Sequence, residues 1–436
     1  MSVGNLKDYG NKGNNFPWQL KMLQGLDAIN NSITTSSITN ANSMAIDAFG
    51  RQRVSNPLTL FDSSHRYSDN GLWATSTASG GSAVFSPNEG LVNLNVNTTN
   101  GSQVLRETTK VFSYQPGKSL LVLNTFVMAP AQSNLRQRVG YFGTDNGIYF
   151  QLNNYTSSFV ERSLVTGLVT ETVVNQSAWN VDSLDGTGPS GVVLDITKAQ
   201  IMFMDIEWLG EGTVRVGFII DGVFLLCHKF NHANYIVSTY ITTASLPLRY
   251  EITNTGVTAN SSTLKQVCST VISEGGYELR GAQQAVGTPI TAPTSLAVAG
   301  TYYPVVSIKL RAGYQDAVVI LTALSIMGVA TGIYNWKVVA SGTTSGGAWV
   351  PAGVNSAVEY NITGTSFAGG RTLASGFLTS STQSSVNLDI LKEALFSFQL
   401  ERDSFTGTSY EISLIVAAST NTELIYSSMD WEEVSR

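Results

Sequence analysis

Residues 203–210, FMDIEWLG, run directly into residues 211–222, EGTVRVGFIIDG, and this stretch decides the fold class. From Val214 to Phe218 every second residue is strongly apolar, which predicts a β-strand with one buried and one wetter face. Asp221 and Gly222 follow, and an Asp-Gly pair between two strand-like runs is a strong signal for a tight hairpin. The stretch therefore predicts antiparallel strands joined by short turns.

Similar signals recur along most of the chain. An Asn-Gly pair at 146–147 lies between two strand-like runs, and further short apolar or alternating runs are separated by turns, among them LLVLNTFVMA, PLRYEITNT and SYEISLIVAA. Many short strands with almost no helix predict antiparallel sandwiches or jelly rolls. We therefore expect an all-β protein with an N-terminal arm and helix, then a jelly-roll sandwich and a second, smaller β-sandwich.

The composition suggests four segments along the 436 residues. These are an N-terminal arm with an anchoring helix at 1–50, the jelly-roll sandwich at 51–280, a linker at 281–300 and the C-terminal sandwich at 301–436. The linker is predicted from small residues and two prolines without a strong period. One short helix is expected near the end of the chain, at 389–398, DILKEALFSF.

Residues 16–33 predict an amphipathic helix, because apolar residues recur there at helical spacing and Pro17 suits a first helical turn. An isolated helix of this length is marginal in water, so its apolar stripe needs a partner. The partner is either the sandwich of the same chain or another protein, including the same helix of neighbouring subunits. The candidate anchoring residues are Phe16, Trp18, Met22, Leu26, Ile29 and Ile33.

Charge and hydropathy exclude several classes of function. Charged residues make up 13% of the chain, about half the usual share, and the net charge is −6 without a block of like charges. We therefore expect no nucleic-acid partner. No run of about 18 apolar residues is present to cross a bilayer, and the N-terminus lacks the apolar core of a secretory signal. We expect synthesis in a cytoplasm and no membrane insertion.

Signals for metal and redox chemistry are weak. Cys227 and Cys268 form neither a metal-type nor a redox pair, which favours free thiols over a disulfide. His228 and His232 have helix-type spacing in strand-like surroundings, which favours structural roles over zinc binding. The loop 182–188, DSLDGTG, lacks the alternating ligands of a calcium-binding EF-hand. We predict no metal site and no cofactor.

FMDIEWLG resembles the signature of concanavalin-like jelly-roll glycoside hydrolases that cut laminarin, agar and lichenan. That signature reads Glu, apolar, Asp, apolar, Glu, followed by an aromatic residue, Leu and Gly. Asp205 matches its central Asp and Glu207 its acid/base Glu, whereas the position of the nucleophile falls on Phe203. A retaining glycosidase needs two carboxylates about 5–5.5 Å apart, and phenylalanine supplies none. We therefore predict no catalytic residue and no enzyme activity.

The two carboxylates have a simpler expected role. Asp205 and Glu207 are predicted to pair with Arg215, because the strand of this arginine follows after the short LGEG turn. With Trp208, whose ring offers an apolar face to a sugar, they are the candidate glycan-binding residues.

A second resemblance covers a larger part of the chain. Several segments are similar to virion structural proteins of tailed bacteriophages, especially cyanophages: 11–29 (NKGNNFPWQLKMLQGLDAI), 48–73, 207–222, 228–234, 246–256 and 264–281. The resemblance covers most of the first 280 residues and is weaker beyond them. It implies a structural component of the virion, assembled in the host cytoplasm.

Several placements and partners follow from this resemblance. The first is a tail fibre or baseplate subunit, anchored to other virion proteins by its N-terminal helix. The alternatives are a capsid-decorating head fibre or cement protein, and a jelly-roll polysaccharide depolymerase. By analogy with phage fibres we expect a homo-oligomer, a trimer first of all, with host-surface carbohydrate as an additional candidate partner.

Overall fold

The computed structural model describes residues 57–115, 117–275, 281–330, 332–379, 398–403 and 405–435. All of them belong to the compact unit Ser55–Arg436. The predicted helix at 16–33, with its six anchoring residues, and all but the last residue of the predicted helix at 389–398 lie outside the described residues. Within the described ranges, no helix has both the length and the apolar character needed to span a membrane.

Residues 57–115 and 117–275 form the first sandwich, with seventeen strands and one short 3-10 helix, Gln176–Ala178. The strands are β1 (Leu58–Ser64), β2 (Trp73–Ala78), β3 (Ser82–Ser86), β4 (Leu91–Val96), β5 (Gln103–Thr108), β6 (Phe112–Ser113), β7 (Leu120–Val127), β8 (Leu135–Phe142), β9 (Gly147–Asn153), β10 (Thr156–Ser163), β11 (Thr170–Asn175), β12 (Gln200–Ile206), β13 (Val214–Ile220), β14 (Val223–Phe230), β15 (Ser245–Leu246), β16 (Leu248–Asn254) and β17 (Ser262–Ser273).

These strands form two large antiparallel sheets. The eight-stranded sheet has the order β14-β13-β12-β7-β17-β4-β3, with β1 paired to β17, and the seven-stranded sheet has the order β11-β10-β9-β8-β16-β5-β2. A separate pair, β6 and β15, lies outside both. The chain passes repeatedly from one sheet to the other, as in a jelly roll. The prediction of an all-β fold with a jelly-roll sandwich is confirmed.

The interior of the first sandwich is filled by the apolar side chains that the two sheets direct toward each other. Met202, Met204 and Ile206 of β12 and Val216 of β13 are fully buried there. The alternation predicted for residues 214–218 is therefore confirmed, and it places the odd-numbered residues of β12 and β13 on the outer face of the sheet.

The two predicted hairpins are present. β13 and β14 are joined by Asp221 and Gly222, whose φ angles of 52° and 77° are those of a type I′ turn. β8 and β9 pair from Phe142 opposite Gly147, so the Asn-Gly pair lies at the end of a four-residue loop. Both turns fix the register of the strands that follow them.

In the second sandwich, the described residues form ten strands. They are β18 (Ala282–Gly287), β19 (Thr294–Leu296), β20 (Tyr303–Leu310), β21 (Val318–Gly328), β22 (Ile333–Ser345), β23 (Val350–Pro351), β24 (Val358–Asn361), β25 (Ser366–Thr379), β26 (Glu411–Ala418) and β27 (Glu423–Ser435). A six-stranded antiparallel sheet has the order β23-β24-β20-β26-β22-β25. It faces a four-stranded sheet, in which β27 pairs with β18 and β19 on one side and with β21 on the other.

One part of the predicted segmentation needs correction. The residues predicted as a linker, 281–300, supply β18 and β19 to the second sandwich, where both pair with β27. Small residues and prolines suggested a connection, but β18 alternates half-buried and exposed residues as an edge strand does. The pairing comes from the last strand of the chain, which sequence spacing does not reveal.

The two sandwiches meet through buried ion pairs. Glu107 of β5 contacts Arg402 at 3.6 Å, and Arg402 also binds Asp316 at 2.7 Å. Beside them Lys110 lies 3.2 Å from Glu401, with both side chains at least 90% buried. A small apolar cluster, formed by Val111 of the first sandwich with Val318 and Ile320 of the second, completes the contact.

Candidate functional site

The predicted ion pairs lie on the outer face of the eight-stranded sheet. Asp205 of β12 is directly opposite Arg215 of β13 in the strand register. Nη1 of Arg215 lies 2.9 Å from Oδ2 of Asp205 and 2.9 Å from Oε1 of Glu207. The Asp205 side chain is fully buried, whereas Glu207 keeps 32% of its side chain exposed. The predicted pairing with Arg215 is confirmed, and one guanidinium nitrogen holds both carboxylates in place.

Phe203, at the position of the nucleophile in the glycosidase signature, is fully buried. Its ring centroid is 5.2 Å from that of Phe224, and it lies over Gly217 of the neighbouring strand. A Cβ atom added at Gly217 would come within 2.8 Å of the Phe203 ring. The absence of a side chain at position 217 therefore makes room for an aromatic ring where the glycosidase needs a carboxylate.

A third carboxylate, Glu161 of β10, is held by a histidine. Its Oε2 is 2.7 Å from Nε2 of His232, and Nδ1 of the same ring is 2.6 Å from the carbonyl oxygen of Gly212. A carbonyl oxygen and a carboxylate oxygen both accept hydrogen bonds, so the ring binds both only as the doubly protonated imidazolium. The His232 ring also stacks on Tyr240, with centroids 3.9 Å apart.

The surroundings of His232 agree with a charged ring. Burial by itself lowers the pKa of His232, but the hydrogen bond to Glu161, its negative charge and the bond to Gly212 outweigh burial, so the pKa is raised. No local pattern predicts this contact, because 71 residues separate the two partners. Glu161 acts here as the counter-ion that ties the loop after β14 to β10.

The other two histidines occupy different environments. Nδ1 of His228 accepts a hydrogen bond from the backbone N–H of Asn180 at 3.2 Å, and burial lowers its pKa to about 4. Burial and the nearby charge of Arg106 lower the pKa of His65 to about 4. His228 and His232 thus have separate partners and do not form a pair. Among the described residues, no three His, Cys, Asp or Glu side chains are grouped to hold a metal ion.

The loop 182–188 uses its carboxylates to fix its own backbone. Asp182 accepts hydrogen bonds from the N–H groups of Leu184 at 3.0 Å and Ser190 at 2.9 Å. Asp185 accepts from the N–H and the hydroxyl of Thr187 at 2.9 and 2.6 Å. Such Asx turns give these aspartates a structural role.

The two cysteines are free thiols on different strands. Burial, with a smaller effect from the negative charge of Asp182, raises the pKa of Cys227, so this thiol is a poor nucleophile. Sγ of Cys268 donates to Oγ1 of Thr125 at 3.3 Å.

Trp208, next to Glu207 in the chain, has a different position from the carboxylates. Its ring meets Tyr114 edge to face, with centroids 6.2 Å apart, and packs against the first hydrophobic core. Its Nε1 is buried, and no hydrogen-bond partner for it is found among the described residues. A buried indole N–H normally has a partner, so this donor is an exception.

Trp208 lines a cavity of about 510 Å³ between the two sandwiches. The first sandwich contributes residues 113–114 and 242–245, and the second contributes 281–282 and 433–434. These segments meet only in the folded chain, and no motif marked them in the sequence. The structure thus separates the predicted glycan-binding residues: Asp205 and Glu207 are bound to Arg215, and Trp208 faces the cavity.

Comparisons with known proteins give a likeness to solved structures alone. No protein-family model matches the chain, and no curated protein does. The carbohydrate recognition domain of Emp47p is 11% identical and covers 50% of this chain and 98% of its own, with a TM-score of 0.32. A β-1,3-1,4-glucanase (lichenase) from a mouse hindgut metagenome is 11% identical and covers 51% and 100%, with a TM-score of 0.33.

A legume lectin-like domain from Entamoeba histolytica is 10% identical and covers 47% of this chain and 90% of its own, with a TM-score of 0.28. Identities and TM-scores this low do not assign the chain to the lectins or to the glucanases. The class defined by the fold is an all-β protein made of β-sandwiches.

Proposed function

We propose that this chain is a non-hydrolytic structural subunit of a tailed-phage particle, in a tail fibre or baseplate, with a carbohydrate-binding role. The particle role is supported by the resemblance of residues 11–29, 48–73 and the central segments to phage virion proteins. The observation that carries the non-hydrolytic part is the buried Phe203 ring, which stands where a retaining glycosidase has its nucleophile.

The state of the two nearby acids supports the same proposal. Asp205 and Glu207 share one guanidinium nitrogen of Arg215, and a general acid must instead be available to protonate a leaving oxygen. The third carboxylate described above, Glu161, is bound to His232. Cross-strand ion pairs of this kind stabilise a sheet and hold its surface rigid, which suits a subunit that transmits or resists force.

A particle role is also supported by the way the two sandwiches are joined. Glu107 and Lys110 of the first sandwich bind Arg402 and Glu401 of the second through nearly buried side chains. Breaking a buried ion pair costs about 3–5 kcal/mol, so these contacts oppose separation of the sandwiches. Two sandwiches joined in this way are a suitable building block for a repeated assembly.

Antibody labelling of intact particles of the host phage tests the placement. The proposal expects label on the tail, label on the head favours a head fibre or cement protein, and absence of the chain from purified particles refutes both. Release of reducing sugar from host polysaccharide, abolished by Glu207→Gln, is the result that would establish the depolymerase instead. The matched control is Glu211→Gln, because Glu211 lies in the same turn but outside the Asp205–Arg215–Glu207 network.

A further inference from the structure

We infer that the cavity between the two sandwiches is a binding site for a neutral sugar unit. The inference rests on the carbohydrate-binding part of the proposed function and names the site and the class of ligand. The cavity measures about 510 Å³, within the range of about 300–1,000 Å³ that is usual for small-molecule sites. The cavity is separate from the outer face that carries Asp205, because neither Asp205 nor Arg215 lines it.

The aromatic wall of the cavity fits the apolar face of a sugar ring. Trp208 and Tyr114, which are in edge-to-face contact at an interplanar angle of 71°, form the aromatic part of the lining. Aromatic side chains with a polar tip suit ligands that have one apolar and one hydroxylated side.

Two threonines of the lining supply hydrogen-bond donors in fixed positions. The hydroxyl of Thr242 already accepts a hydrogen bond from the side-chain amide of Asn146 at 2.6 Å. The hydroxyl of Thr243 accepts one from the backbone N–H of Ser245 at 3.1 Å. Each acceptor role leaves the O–H hydrogen of the threonine to donate elsewhere. The same contacts hold the two side chains in place, so they lose little conformational entropy when a ligand binds.

The charge of the lining excludes an acidic ligand. The described residues that line the cavity include no Lys, Arg or His. Their one carboxylate, Glu433, accepts a hydrogen bond from the backbone N–H of Ala357 at 2.9 Å. An anion placed here would lose its hydration without gaining a cation, which is costly at a buried site. A neutral hydroxylated ring meets no such penalty, and we therefore name neutral hexoses and N-acetylhexosamines rather than uronic or sialic acids.

The test is a titration of the intact chain with the methyl glycosides of glucose, galactose and N-acetylglucosamine, and with glucuronate as the charged comparison. Binding is followed by saturation-transfer NMR and by tryptophan fluorescence. We expect at least one neutral glycoside to bind and glucuronate not to bind. Trp208→Ala removes the larger aromatic ring of the lining, and we expect it to weaken binding by about tenfold.

A second variant addresses the opposite wall without touching the first sandwich. Ala282→Phe places a large ring in the cavity from β18, and we expect it to abolish binding. Trp349→Phe is the matched control, because Trp349 lies in the second sandwich beneath Lys309 at 4.1 Å and does not line the cavity. It should bind like the natural chain.

Three results would overturn the inference: binding of none of the neutral glycosides, equal binding of glucuronate, or binding that survives both cavity variants. The last would place the sugar elsewhere, for example on the outer face of the eight-stranded sheet. Such a failure is distinct from failure of the proposed particle role, because labelling of particles does not depend on the cavity.

Discussion

The contact between His232 and Glu161 predicts an unusual pH dependence of stability. The folded-state pKa of His232 is raised above its ordinary value of 6.5. A histidine whose pKa is raised by folding contributes stability that is complete below the unfolded pKa and is lost as pH rises through the folded pKa. We therefore expect the stability that His232 provides to be present at pH 6.5 and below, and to decline at higher pH.

The structure sets the size of the effect. When the ring loses a proton it keeps only one of its two bonds, to Gly212 or to Glu161, and a hydrogen bond to a charged group contributes about 1.5–3 kcal/mol. His232→Ala removes both bonds and leaves Glu161 buried with no cation, since only 11% of that side chain is exposed. Loss of one partner of a buried pair costs about 3–5 kcal/mol, and the lost stacking on Tyr240 adds to it.

Two measurements check the predicted pH dependence of stability. The first is NMR titration of the ring signals, which is simple because the chain has three histidines. We expect His232 to titrate above 6.5, and His65 and His228 to titrate near 4. The other measurement is chemical denaturation at several pH values with Glu161→Gln, which keeps an acceptor of the same shape but removes the charge.

Glu161→Gln should lose most of the decline in stability above pH 6.5 that the natural chain shows. The other histidines do not confuse this comparison, because their lowered pKa values make them lose stability as pH falls below 6.5. Parallel stability curves for the natural chain and Glu161→Gln above pH 6.5, or titration of His232 at or below 6.5, would refute the reasoning.

Three further predictions concern the sheets and the junction. Arg215→Ala leaves the buried carboxylate of Asp205 without its cation and should lower the free energy of unfolding by about 3–5 kcal/mol in denaturant titrations, whereas Arg215→Lys should lose less. Gly217→Ala adds a Cβ atom 2.1 Å from the backbone carbonyl oxygen of Leu225 and 2.8 Å from the Phe203 ring, so we expect a loss of about 1–3 kcal/mol and a change in near-ultraviolet circular dichroism. Arg402→Ala removes one of the ion-pair contacts between the sandwiches, and hydrogen exchange should then quicken at β5 and the strands beside it while the core of each sandwich stays protected.

The features that the sequence predicted correctly are those set by neighbours in the chain. The turn at Asp221 and Gly222 needs positive φ at both residues, which Asp-Gly supplies. Asp205 and Arg215 face each other because a short turn and a period of two fix the register of β12 and β13. Local chemistry is enough to predict contacts of this kind.

The features that could not be predicted join distant parts of the chain. Glu161 reaches His232 across 71 residues, and Glu107 reaches Arg402 from a different sandwich. Each of these residues has an ordinary local context, and strand order decides which side chains meet. The same applies to β18, whose pairing with the last strand turned a predicted linker into part of a sheet.

On the outer face of the seven-stranded sheet, a few charged side chains cover a buried aromatic ring. Tyr149 is fully buried there beneath the guanidinium groups of Arg138 and Arg162, which lie 5.1 and 5.4 Å from its ring centroid. Arg162 in turn binds Glu171 at 2.7 Å, so the cations are held by an acid at the rim. Arginine stems can cover apolar rings while their heads stay hydrogen-bonded.

This arrangement restricts where a ligand can bind. On the seven-stranded sheet the arginines that an acidic glycan would need are already engaged with Glu171 and Glu251. On the eight-stranded sheet Arg215 is engaged with both acids of FMDIEWLG. An acidic ligand on either face would have to compete with these carboxylates for the arginines. The described residues that line the cavity at the junction include no Lys, Arg or His, so a neutral ligand can enter it without breaking an ion pair of this kind.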